Sequence, residues 1–555
     1  MSERQGTERL VLALAQLNPS LGDVEGNRDL LLRARDAAMA LGADLVVPGE
    51  LALSGYPPED LVLKPAFLDA LARAVDEIAA ATADGGPAVL ITTPWRVEGK
   101  VYNAALLAEG GRIAATRLKY DLPNYGVFDE KRVFAAGPMP GPIAFRGVRL
   151  GVMICEDMWG PDVAETLAES GAEILIVPNG SPYERDKPDQ RLNLAVARVV
   201  ETGLPLVYVN QVGGQDEIVF DGASFAVGSD RHLAAQLPAW AEAVAPLTLA
   251  RSGEGWAVTG AVAAIPDGLE PVYQAMVLGL RDYVTKNRFP GVILGLSGGI
   301  DSALSAAVAV DGLGPDRVRA VMMPSPYTSQ ESLDDAAECA RLLGIRLDSI
   351  SIGPAMTVFD GMLAPLFEGR APDITEETLQ SRSRGMLRMA LSNKLGHMVL
   401  STGNKSEMSV GYATLYGDMC GGYAVLKDVY KTTVFELCRW RNVALPDGAR
   451  GPRGPVMPER VITKPPSAEL KPNQTDQDTL PPYDKLDDIL SCLIEGEMRV
   501  EDIVARGHDE ATVRRVWRML DRAEYKRRQA PPGVKITSRA FGRDRRYPIT
   551  NAFQK

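Results

Sequence analysis

The sequence predicts an α/β protein with two domains, and three observations predict this fold class. The chain has 555 residues, which is more than a single hydrophobic core organises. Short apolar runs alternate with helical patterns along both halves of the chain. In the second half, the strand-like run 292–296 leads directly into a glycine-rich turn and then a helix, which is typical of a parallel sheet.

The first half is rich in predicted strands. They cover residues 11–17, 45–47, 89–92, 104–107, 150–154, 174–177 and 207–209. Between the first two strands, Asn27 is predicted to cap a helix that carries Leu31, Ala34 and Ala38 on one face. The pattern loosens over residues 240–270, which places the domain boundary there and predicts domains 1–265 and 266–555.

The second half alternates strands and helices more regularly. The predicted order is helix 272–287, strand 292–296, helix to residue 310, strand 318–322, helix 329–343, helix 378–395 and strand 398–400. These units predict a doubly wound parallel sheet. Residues 446–482 contain nine prolines and no periodicity, so we expect a long loop, with an ordered active-site cover favoured over a floppy connection.

Composition narrows the classes of function. The net charge of −12 disfavours a nucleic acid as the main partner, because phosphate binding needs a basic surface. Five widely spaced cysteines without a C-x-x-C pair argue against a disulfide framework or a zinc site. No apolar stretch approaches the ~20 residues of a membrane span, and the N-terminus does not read as a secretion signal. We therefore expect a cytoplasmic protein without a membrane partner.

Three residues in the first half follow strands or begin loops, where side chains converge at one edge of a sheet. They are Glu50, Lys119 and Cys155. A thiol becomes a good nucleophile when it loses its proton, and a carboxylate can take that proton. A nearby ammonium can stabilise the thiolate and a developing oxyanion. The three residues together therefore predict nucleophilic attack on an amide.

These segments resemble the nitrilase, or carbon–nitrogen hydrolase, family over about residues 8–265. The match rests on LVVPGE, on RLKYDLPNYGVFDE and on the run Cys155-Glu156-Asp157. The resemblance implies an α-β-β-α sandwich with Cys155 as nucleophile, Glu50 as general base and Lys119 as the oxyanion and thiolate support. Glu130 falls where the family often has a second, supporting glutamate.

One further stretch resembles the glutamine-binding segment of family members that are glutaminases. It is PNGSPY at residues 178–183, followed by Lys187. By this resemblance Ser181 and Lys187 hold the amino-acid end of glutamine, and Tyr125 lines the pocket. Tyr125 has an alternative interpretation as an ordinary loop aromatic.

The second half contains a candidate phosphate-binding loop, SGGIDS at residues 297–302, between a strand and a helix. Its glycines allow the backbone amides and the helix N-terminus to face an anion, and Asp301 can hold Mg²⁺. The loop is not of the Walker type, and it resembles that of enzymes that split ATP into an adenylate and pyrophosphate. The ATP-binding residues that follow from the loop and the resemblance are Gly295, Leu296, Ser297, Gly298, Gly299, Ile300, Asp301, Ser302, Thr402 and Lys431.

Further motifs select a family. They include QSRSRGM at residues 380–386, STGNKSE at 401–407, DVYKT at 428–432, PSAEL at 466–470 and EYKRR at 524–528. In this order they resemble NAD⁺ synthetases, and the whole chain resembles the glutamine-dependent NAD⁺ synthetases, whose second domain is adenine nucleotide alpha hydrolase-like. The resemblance implies that deamido-NAD⁺ is held by Thr378, Arg382, Arg384, Glu407 and Lys526, and that Asp301 and Glu407 are metal ligands. Thr378 departs from the family, which usually has asparagine there, and Ser467 is expected near the phosphates.

The implied activity is glutamine-dependent synthesis of NAD⁺ from deamido-NAD⁺ and ATP, with Mg²⁺ as cofactor and AMP, pyrophosphate and glutamate as further products. Because free ammonia would escape, we expect an enclosed passage between the sites. The resemblance implies a homo-oligomer that is at least a dimer through the synthetase domain. The alternatives are another ATP-pyrophosphatase-type glutamine amidotransferase with a different acceptor and, disfavoured by the acidic charge, a tRNA-modifying enzyme.

Overall fold

A computed structural model describes residues 7–185, 187–253, 255–472 and 474–553. The chain divides into two compact units. The first holds the residues up to Gln215 together with Val219–Pro266, and the second holds Asp216–Ile218 and the residues from Asp267 onward.

The first unit contains fifteen strands and four α-helices within its described residues. The strands are β1 (Arg9–Gln16), β2 (Leu45–Pro48), β3 (Ala88–Val97), β4 (Lys100–Glu109), β5 (Arg112–Leu118), β6 (Ile143–Phe145), β7 (Val148–Val152), β8 (Ile174–Asn179), β9 (Leu206–Asn210), β10 (Val212–Gln215), β11 (Ile218–Asp221), β12 (Phe225–Val227), β13 (Leu233–Gln236), β14 (Ala243–Ser252) and β15 (Gly255–Thr259). The helices are α1 (Val24–Ala40), α2 (Pro65–Ala81), α3 (Asp162–Glu169) and α4 (Lys187–Thr202).

Two large sheets of this unit pack face to face. Their strand orders are β15-β14-β1-β2-β3-β4-β5 and β13-β12-β9-β8-β7-β6, with β10-β11 as a separate hairpin. Strand β1 shows why the sheet is covered on both faces, because its alternate side chains point to opposite faces. Leu12 and Leu14 join a core shared with Ile176 of the other sheet, whereas Val11 and Ala13 join the core under α1 and α2. The layers therefore follow the order α-β-β-α, as the nitrilase resemblance implies.

The prediction that Asn27 caps the first helix is wrong. Asp23 is the N-cap, and one of its carboxylate oxygens accepts a hydrogen bond from Gly26 N at 3.1 Å. Asn27 lies inside the first turn and is buried, and its Nδ2 donates to the carbonyls of Ser20 and Leu53 at 2.8 and 3.1 Å. Aspartate and asparagine both favour the N-cap position, so the sequence alone does not distinguish Asp23 from Asn27. The contacts of Asn27 with Ser20 and Leu53 hold its side chain elsewhere.

The second unit contains five further strands and twelve further α-helices within its described residues. The strands are β16 (Val292–Gly295), β17 (Val318–Met322), β18 (Arg346–Ser349), β19 (Met398–Ser401) and β20 (Tyr423–Ala424). The helices are α5 (Glu270–Lys286), α6 (Ile300–Leu313), α7 (Gln330–Leu343), α8 (Gly353–Leu363), α9 (Ile374–Leu395), α10 (Lys405–Val410), α11 (Lys431–Val443), α12 (Glu459–Thr463), α13 (Tyr483–Ile494), α14 (Val500–Ala505), α15 (Glu510–Arg522) and α16 (Glu524–Arg527). Helix α9 begins four residues before the predicted start, because Asp373 forms a capping box with Glu376.

The sheet of the second unit is parallel throughout, as the alternating pattern predicts. Its order is β18-β17-β16-β19-β20, so the direction of winding reverses between β16 and β19. In open α/β sheets, ligands bind at the carboxyl ends of the strands beside such a reversal. The loop after β16 and the segment after β19 therefore face the position where a nucleotide is expected. None of the helices in the described ranges is long and apolar enough to cross a bilayer.

The proline-rich stretch 446–482 contains one short helix, α12, among its described residues, together with a 3₁₀ turn at Asp476–Asp478. It is nevertheless anchored. Arg460 Nε donates to the buried carboxylate of Asp335 at 2.9 Å, and Ser332 Oγ donates to Glu469 at 2.7 Å. Asp335 and Ser332 both belong to helix α7, so the two bonds attach the proline-rich stretch to that helix. The first turn of α7 packs against the glycine-rich loop.

Candidate active sites

In the first unit, Lys119 lies between two carboxylates. Its Nζ is 2.6 Å from Glu50 Oε1 and 2.9 Å from Glu130 Oε1. Glu50 is held from two more directions, because Asn103 Nδ2 donates to Oε1 at 2.7 Å and Gly180 N donates to Oε2 at 3.0 Å. The sequence predicted the three charged residues. Gly180 lies in the predicted 178–183 stretch, although its contact with Glu50 was not predicted, and Asn103 was not singled out at all.

Burial and charge act in opposite directions on this group. Burial favours a neutral amine, but the charges of Glu130 and Glu50 raise the pKa of Lys119 well above its ordinary value. Burial raises the pKa of Glu130 to about 7, against the opposing charge of Lys119. The two carboxylates therefore favour the charged ammonium of Lys119, and burial favours the neutral form of Glu130.

Cys155 follows β7 and begins a short 3₁₀ turn. It is buried, and its backbone is in the left-handed region with φ of 48°. Burial raises the pKa of the thiol well above its ordinary value, and the charge of Glu50 raises it further, while Lys119 and the backbone of Gly180 oppose them. Burial therefore favours the protonated thiol and calls for a base during attack, whereas the charge of Lys119 favours the thiolate.

Asp157 connects the segment that carries Lys119 to the segment that carries Cys155, a role that the sequence did not predict. Its Oδ1 accepts hydrogen bonds from the backbone N of Tyr120 and Asp121 at 3.0 and 2.8 Å, directly after Lys119. Its Oδ2 accepts from Ile154 N at 2.9 Å, directly before Cys155. Burial raises the pKa of Asp157 to about 6, against these backbone donors. Its position two residues after the predicted nucleophile was the available signal.

A cavity of about 820 Å³ opens beside this group. Its lining includes Tyr125 and Glu156, and Tyr125 Oη donates to Glu156 Oε2 at 3.0 Å. The ring of Tyr125 meets Phe128 edge-on at 5.5 Å, and Lys187 Nζ lies 5.4 Å from the centre of the same Phe128 ring. The structure thus brings Tyr125 and Lys187 together through Phe128, next to the residue that follows the cysteine.

Ser181 belongs to a different hydrogen-bond network. Its Oγ accepts from Arg191 Nε at 3.0 Å, and its backbone N donates to Asn210 Oδ1 at 3.0 Å. Arg191 is itself buried and paired with Asp221 at 2.7 Å. The Ser181 hydroxyl is therefore held in a fixed orientation by residues that the sequence did not single out.

In the second unit, the predicted phosphate loop forms a tight turn between β16 and α6. Gly298 has φ of 79°, and a Cβ there would lie 2.2 Å from the carbonyl oxygen of Ser332. Ser302 Oγ donates to Gly299 O at 2.8 Å and lies 3.1 Å from Ser297 Oγ. Only glycine fits at residue 298, and the hydroxyls hold the turn in a shape that exposes its backbone at a helix N-terminus.

The predicted metal and phosphate ligands meet around one ammonium group. Lys431 Nζ lies 2.5 Å from Asp301 Oδ2 and 3.2 Å from Glu407 Oε1. Asn404 Nδ2 donates to Asp301 Oδ1 at 2.8 Å, and Asn404 and Glu407 form the capping box of α10. The structure therefore joins residues that are 130 positions apart, and it adds Asn404 from the predicted 401–407 motif.

A third carboxyl group acts on this cluster. Burial raises the pKa of Glu407 to about 8 against the charge of Lys431, and the charges of Asp301 and Asp476 raise it further. Asp476 comes from the proline-rich stretch, is buried, and accepts a hydrogen bond from Tyr483 Oη at 2.7 Å. Three carboxyl groups thus act on one lysine, and burial favours the neutral form of two of them, Glu407 and Asp476.

These residues fit the magnesium ion that the family resemblance implies. Asp301 and Glu407 converge on a single position, which the ammonium of Lys431 fills. Mg²⁺ at nucleotide sites takes one or two carboxylates and completes its shell with water and phosphate oxygens. Within the described residues there is no cluster of three or more acidic, histidine or cysteine side chains with metal-site geometry.

Apart from Glu407, the residues predicted to hold the dinucleotide lie on helix α9, except Lys526, which lies on α16. Arg382 Nη1 donates to Thr378 Oγ1 at 3.0 Å, and its Nε donates to Leu415 O at 3.3 Å. Arg384 Nε donates to Met323 O at 3.0 Å, at the end of β17. The threonine that replaces the family's usual asparagine is thus a partner of the neighbouring arginine.

The remaining predicted residues lie at the edges of these groups. Lys526 Nζ donates to the carbonyls of Gly411 and Ala413 at 2.7 and 2.6 Å, and burial lowers its pKa. Thr402 directly follows β19 and is half-buried. Ser467 Oγ donates to Gln474 O at 2.6 Å, so its bond lies within the proline-rich stretch. The structure does not bring these three residues to the Asp301 cluster by direct contact.

Comparison with known proteins gives the same division of chemistry. Residues 11–255 match the carbon-nitrogen hydrolase family and residues 272–530 match the NAD synthase family. The two matches define a protein that combines an amide-cleaving domain of the nitrilase type with a nucleotide-dependent synthase domain.

Relatives that share both domains extend the match to the whole chain. Identity is 52% to a glutamine-dependent NAD(+) synthetase of Rhodobacter capsulatus, over 99% of each chain. It is 49% to one of Xanthomonas campestris pv. campestris, over 98% of each chain. The solved structure of glutamine-dependent NAD+ synthetase from Acinetobacter baumannii, in complex with ADP, is similar with a TM-score of 0.78 at 43% identity, covering 98% of both chains. The chain belongs to the family of glutamine-dependent NAD(+) synthetases.

Proposed function

We propose that this chain converts deamido-NAD⁺, ATP and glutamine into NAD⁺, AMP, pyrophosphate and glutamate, with Cys155 and Asp301 at the centres of the two sites. The observation that carries the proposal is the pairing of constellations on one chain. A buried cysteine lies with the Glu50–Lys119 ion pair in the first unit, and a strand–SGGIDS–helix loop lies with the Asp301–Lys431 pair in the second.

In the glutaminase half-reaction, Cys155 Sγ attacks the carbon of the side-chain amide. Glu50 takes the thiol proton and passes it to the amide nitrogen, which leaves as ammonia and gives a thioester. Glu50 then takes a proton from water, the resulting hydroxide releases glutamate, and the thiol is restored. The raised pKa of the thiol requires this base, and the fixed ammonium of Lys119 offsets the negative charge that develops on the amide oxygen.

Recognition of glutamine follows from the cavity beside the cysteine. Lys187 supplies a positive charge for the α-carboxylate, and the oriented hydroxyl of Ser181 supplies a donor. Tyr125 lines the pocket, and its partner Glu156 supplies a negative charge for the α-ammonium group. A zwitterion needs both signs of charge at its amino-acid end, and these residues provide them.

In the synthetase half-reaction, the nicotinate carboxylate attacks the α-phosphorus of ATP and pyrophosphate leaves. Gly295, Leu296, Ser297, Gly298, Gly299, Ile300, Ser302 and Thr402 form the ATP site by this proposal. The backbone amides of the loop and Lys431 stabilise the leaving group, and ammonia then displaces AMP. Bound Mg²⁺, held by Asp301 and Glu407, would supply Lewis-acid charge to the phosphate oxygens.

The dinucleotide substrate carries two phosphates, and cationic residues suit it. Arg382, Arg384 and Lys526 supply positive charge, and Thr378 orients Arg382 through the hydroxyl that accepts its N–H. All three cations are held by backbone carbonyls or a hydroxyl rather than by carboxylates in the described structure. Their positive charge is therefore available for an anionic substrate.

Three further features belong to the proposal. Ammonia is largely protonated near neutral pH and would be lost to solvent, so we propose an enclosed passage between the sites. We also propose a homo-oligomer of at least two chains, assembled through the synthetase domain. The protein works in the cytoplasm, on small molecules rather than on nucleic acids, in keeping with its net charge of −12.

The proposal is tested by measuring AMP release from ATP and Mg²⁺ with ammonium as the nitrogen source. We expect release to depend on deamido-NAD⁺, and Asp301→Asn to abolish it while leaving glutamate production from glutamine. Equal AMP release with an unrelated carboxylate or a nucleotide acceptor would favour another ATP-pyrophosphatase-type amidotransferase and contradict the proposal.

A further inference from the structure

Arg388 is a buried cation at the carboxyl end of the central strand of the second unit. It lies one helical turn after Arg384 on α9, and it is 5% exposed. A Cβ placed on Gly295, the last residue of β16, would lie 3.7 Å from Arg388 Cδ and 3.8 Å from Nη1. The side chain thus extends over the strand end, beside the reversal of winding between β16 and β19.

Arg388 has neither a complete set of hydrogen bonds nor an ion pair among the described residues. Its Nη2 donates to Gly417 O at 2.8 Å, while its buried Nε has no acceptor among the described residues. The negative charge of Asp418 acts on Arg388 and favours the charged guanidinium, but Arg388 forms no ion pair with a carboxylate within the described part of the chain. Burying an unpaired charge is costly, so a protein retains one where something else supplies the partner.

Two other buried arginines show how this chain normally treats such groups. Arg441 makes a two-pronged pair with Asp311, at 2.6 and 3.0 Å. Arg191 is paired with Asp221 at 2.7 Å. Arg388 differs from both, and the charge of Arg384 one turn away adds to the positive field instead of cancelling it. The pair Arg384 and Arg388 therefore forms a preorganised position for an anion.

Its place along the chain indicates which anion. Gly295 comes two residues before Ser297, so Arg388 borders the strand end and not the N-terminus of α6, where the proposed leaving pyrophosphate lies. Gly295 has no side chain of its own there, and the two side chains nearest to its Cβ position are those of Met323, with Cε at 3.3 Å, and Arg388. The guanidinium is the polar group of the two. If the β- and γ-phosphates of ATP lie at the N-terminus of α6, the phosphate beside Gly295 is the α-phosphate.

We propose that Arg388 is a nucleotide-binding residue whose guanidinium holds the α-phosphate of ATP and of the adenylate formed from it. This inference rests on the proposed function, because it needs ATP on the SGGIDS loop. The planar guanidinium presents parallel N–H groups that match two phosphate oxygens, which a lysine ammonium does not reproduce. The stability lost by burying the charge in the free protein is recovered when ATP binds.

The test is Arg388→Met, which keeps the length of the side chain and removes the charge, with Lys394→Met as the matched control. Lys394 lies on the same helix and is exposed. The dissociation constant of ATP with Mg²⁺ and the thermal unfolding midpoint without ligand are measured for each protein. We expect ATP to bind about 10- to 100-fold more weakly to Arg388→Met. We expect the unfolding midpoint of Arg388→Met without ligand to equal or exceed that of the wild type. Lys394→Met should change neither the affinity for ATP nor the unfolding midpoint.

Arg388→Lys provides the second variant, because it keeps the charge and folds if Arg388→Met does not. It should also weaken ATP binding, since it loses the paired donors. Adenosine, which lacks phosphate, should bind all the proteins equally, and so should NAD⁺. Unchanged ATP affinity in both variants, or an equal loss for adenosine or NAD⁺, would overturn the assignment. Failure of the wild-type protein itself to bind ATP would instead overturn the proposed function.

Discussion

The ammonium nitrogen of Lys119 lies 2.6 Å from Glu50 Oε1, and neither side chain is accessible to solvent. A second carboxylate, that of Glu130, shares the same ammonium at 2.9 Å. The group holds two acids and one base in a region that water does not screen, so each charge depends on the others. Removing any member changes both stability and the chemistry of Cys155, and the two effects can be separated.

Glu50→Gln should remove the base and keep the shape of the side chain. We expect glutamate production to fall by about 10²- to 10⁴-fold, because proton transfer to a positioned base contributes that much. Synthesis of NAD⁺ from ammonium should continue at the wild-type rate. The matched control is Glu169→Gln on the exposed end of α3, which should leave both activities unchanged. Wild-type glutaminase activity in Glu50→Gln would show that another group takes the thiol proton.

Lys119→Met should destabilise the protein as well as inactivate the glutaminase. It leaves two buried carboxylates without a cation, at a cost of about 3–5 kcal/mol of unfolding free energy. Adding Glu130→Gln to the same chain removes one of those charges and should recover part of the thermal unfolding midpoint without restoring glutamate production. If the double variant were no more stable than Lys119→Met, the shared-ammonium arrangement would be wrong.

Glutaminase activity should depend on the ionisation of Asp157, whose pKa is raised by burial to about 6. Above that pH the carboxylate accepts three backbone N–H bonds, and below it one oxygen carries a proton and cannot accept. The rate of glutamate release should therefore fall as the pH drops through about 6. Asp157→Asn should be slower throughout and lack this step, as measured by the ratio of variant to wild-type rate between pH 5 and 8. A ratio that does not vary with pH would contradict the role of Asp157.

Gly298→Ala should disrupt ATP binding by two effects. Its φ of 79° strains an alanine, and the added Cβ would meet Ser332 O at 2.2 Å. Gly314 is the matched control, because it has φ of 86° and open space around its Cβ position. Both variants incur backbone strain of about 1–3 kcal/mol, but only Gly298→Ala displaces the loop from α7. We expect ATP affinity to fall in Gly298→Ala alone, and equal affinities in the two variants would remove the steric argument.

Strand ends were the most informative feature of the sequence. Glu50, Lys119 and Cys155 were predicted to converge because each follows a strand or opens a loop at the edge of a sheet, and the Glu50–Lys119 pair shows that convergence directly. The same logic placed Asp301 after β16. Long, regular alternation therefore predicted the layers, the parallel sheet of the second unit and the loops that carry charge.

Short or irregular strands escaped prediction for a physical reason. Strand β12 has three residues, too few to show a period of two. Strand β14 contains Pro246 and was interpreted as part of a loosened boundary, yet eight of its ten residues pair with β1. Contacts such as Asp157 with Ile154, or Arg388 with Gly417, depend on the packing of separate elements, so no local pattern announces them.

The central claim is that nitrogen released at Cys155 becomes the amide nitrogen of NAD⁺. In the most direct measurement, the enzyme receives glutamine labelled with ¹⁵N in its side-chain amide, together with deamido-NAD⁺, ATP and Mg²⁺. The mass of the NAD⁺ formed is then determined by mass spectrometry. We predict labelled NAD⁺ from the wild type. Cys155→Ala should give no labelled product, but it should make unlabelled NAD⁺ when ammonium is added. The control Cys492→Ala should make labelled NAD⁺ from glutamine and unlabelled NAD⁺ from ammonium. Labelled NAD⁺ from Cys155→Ala, or no NAD⁺ from that folded variant with ammonium, would contradict the account.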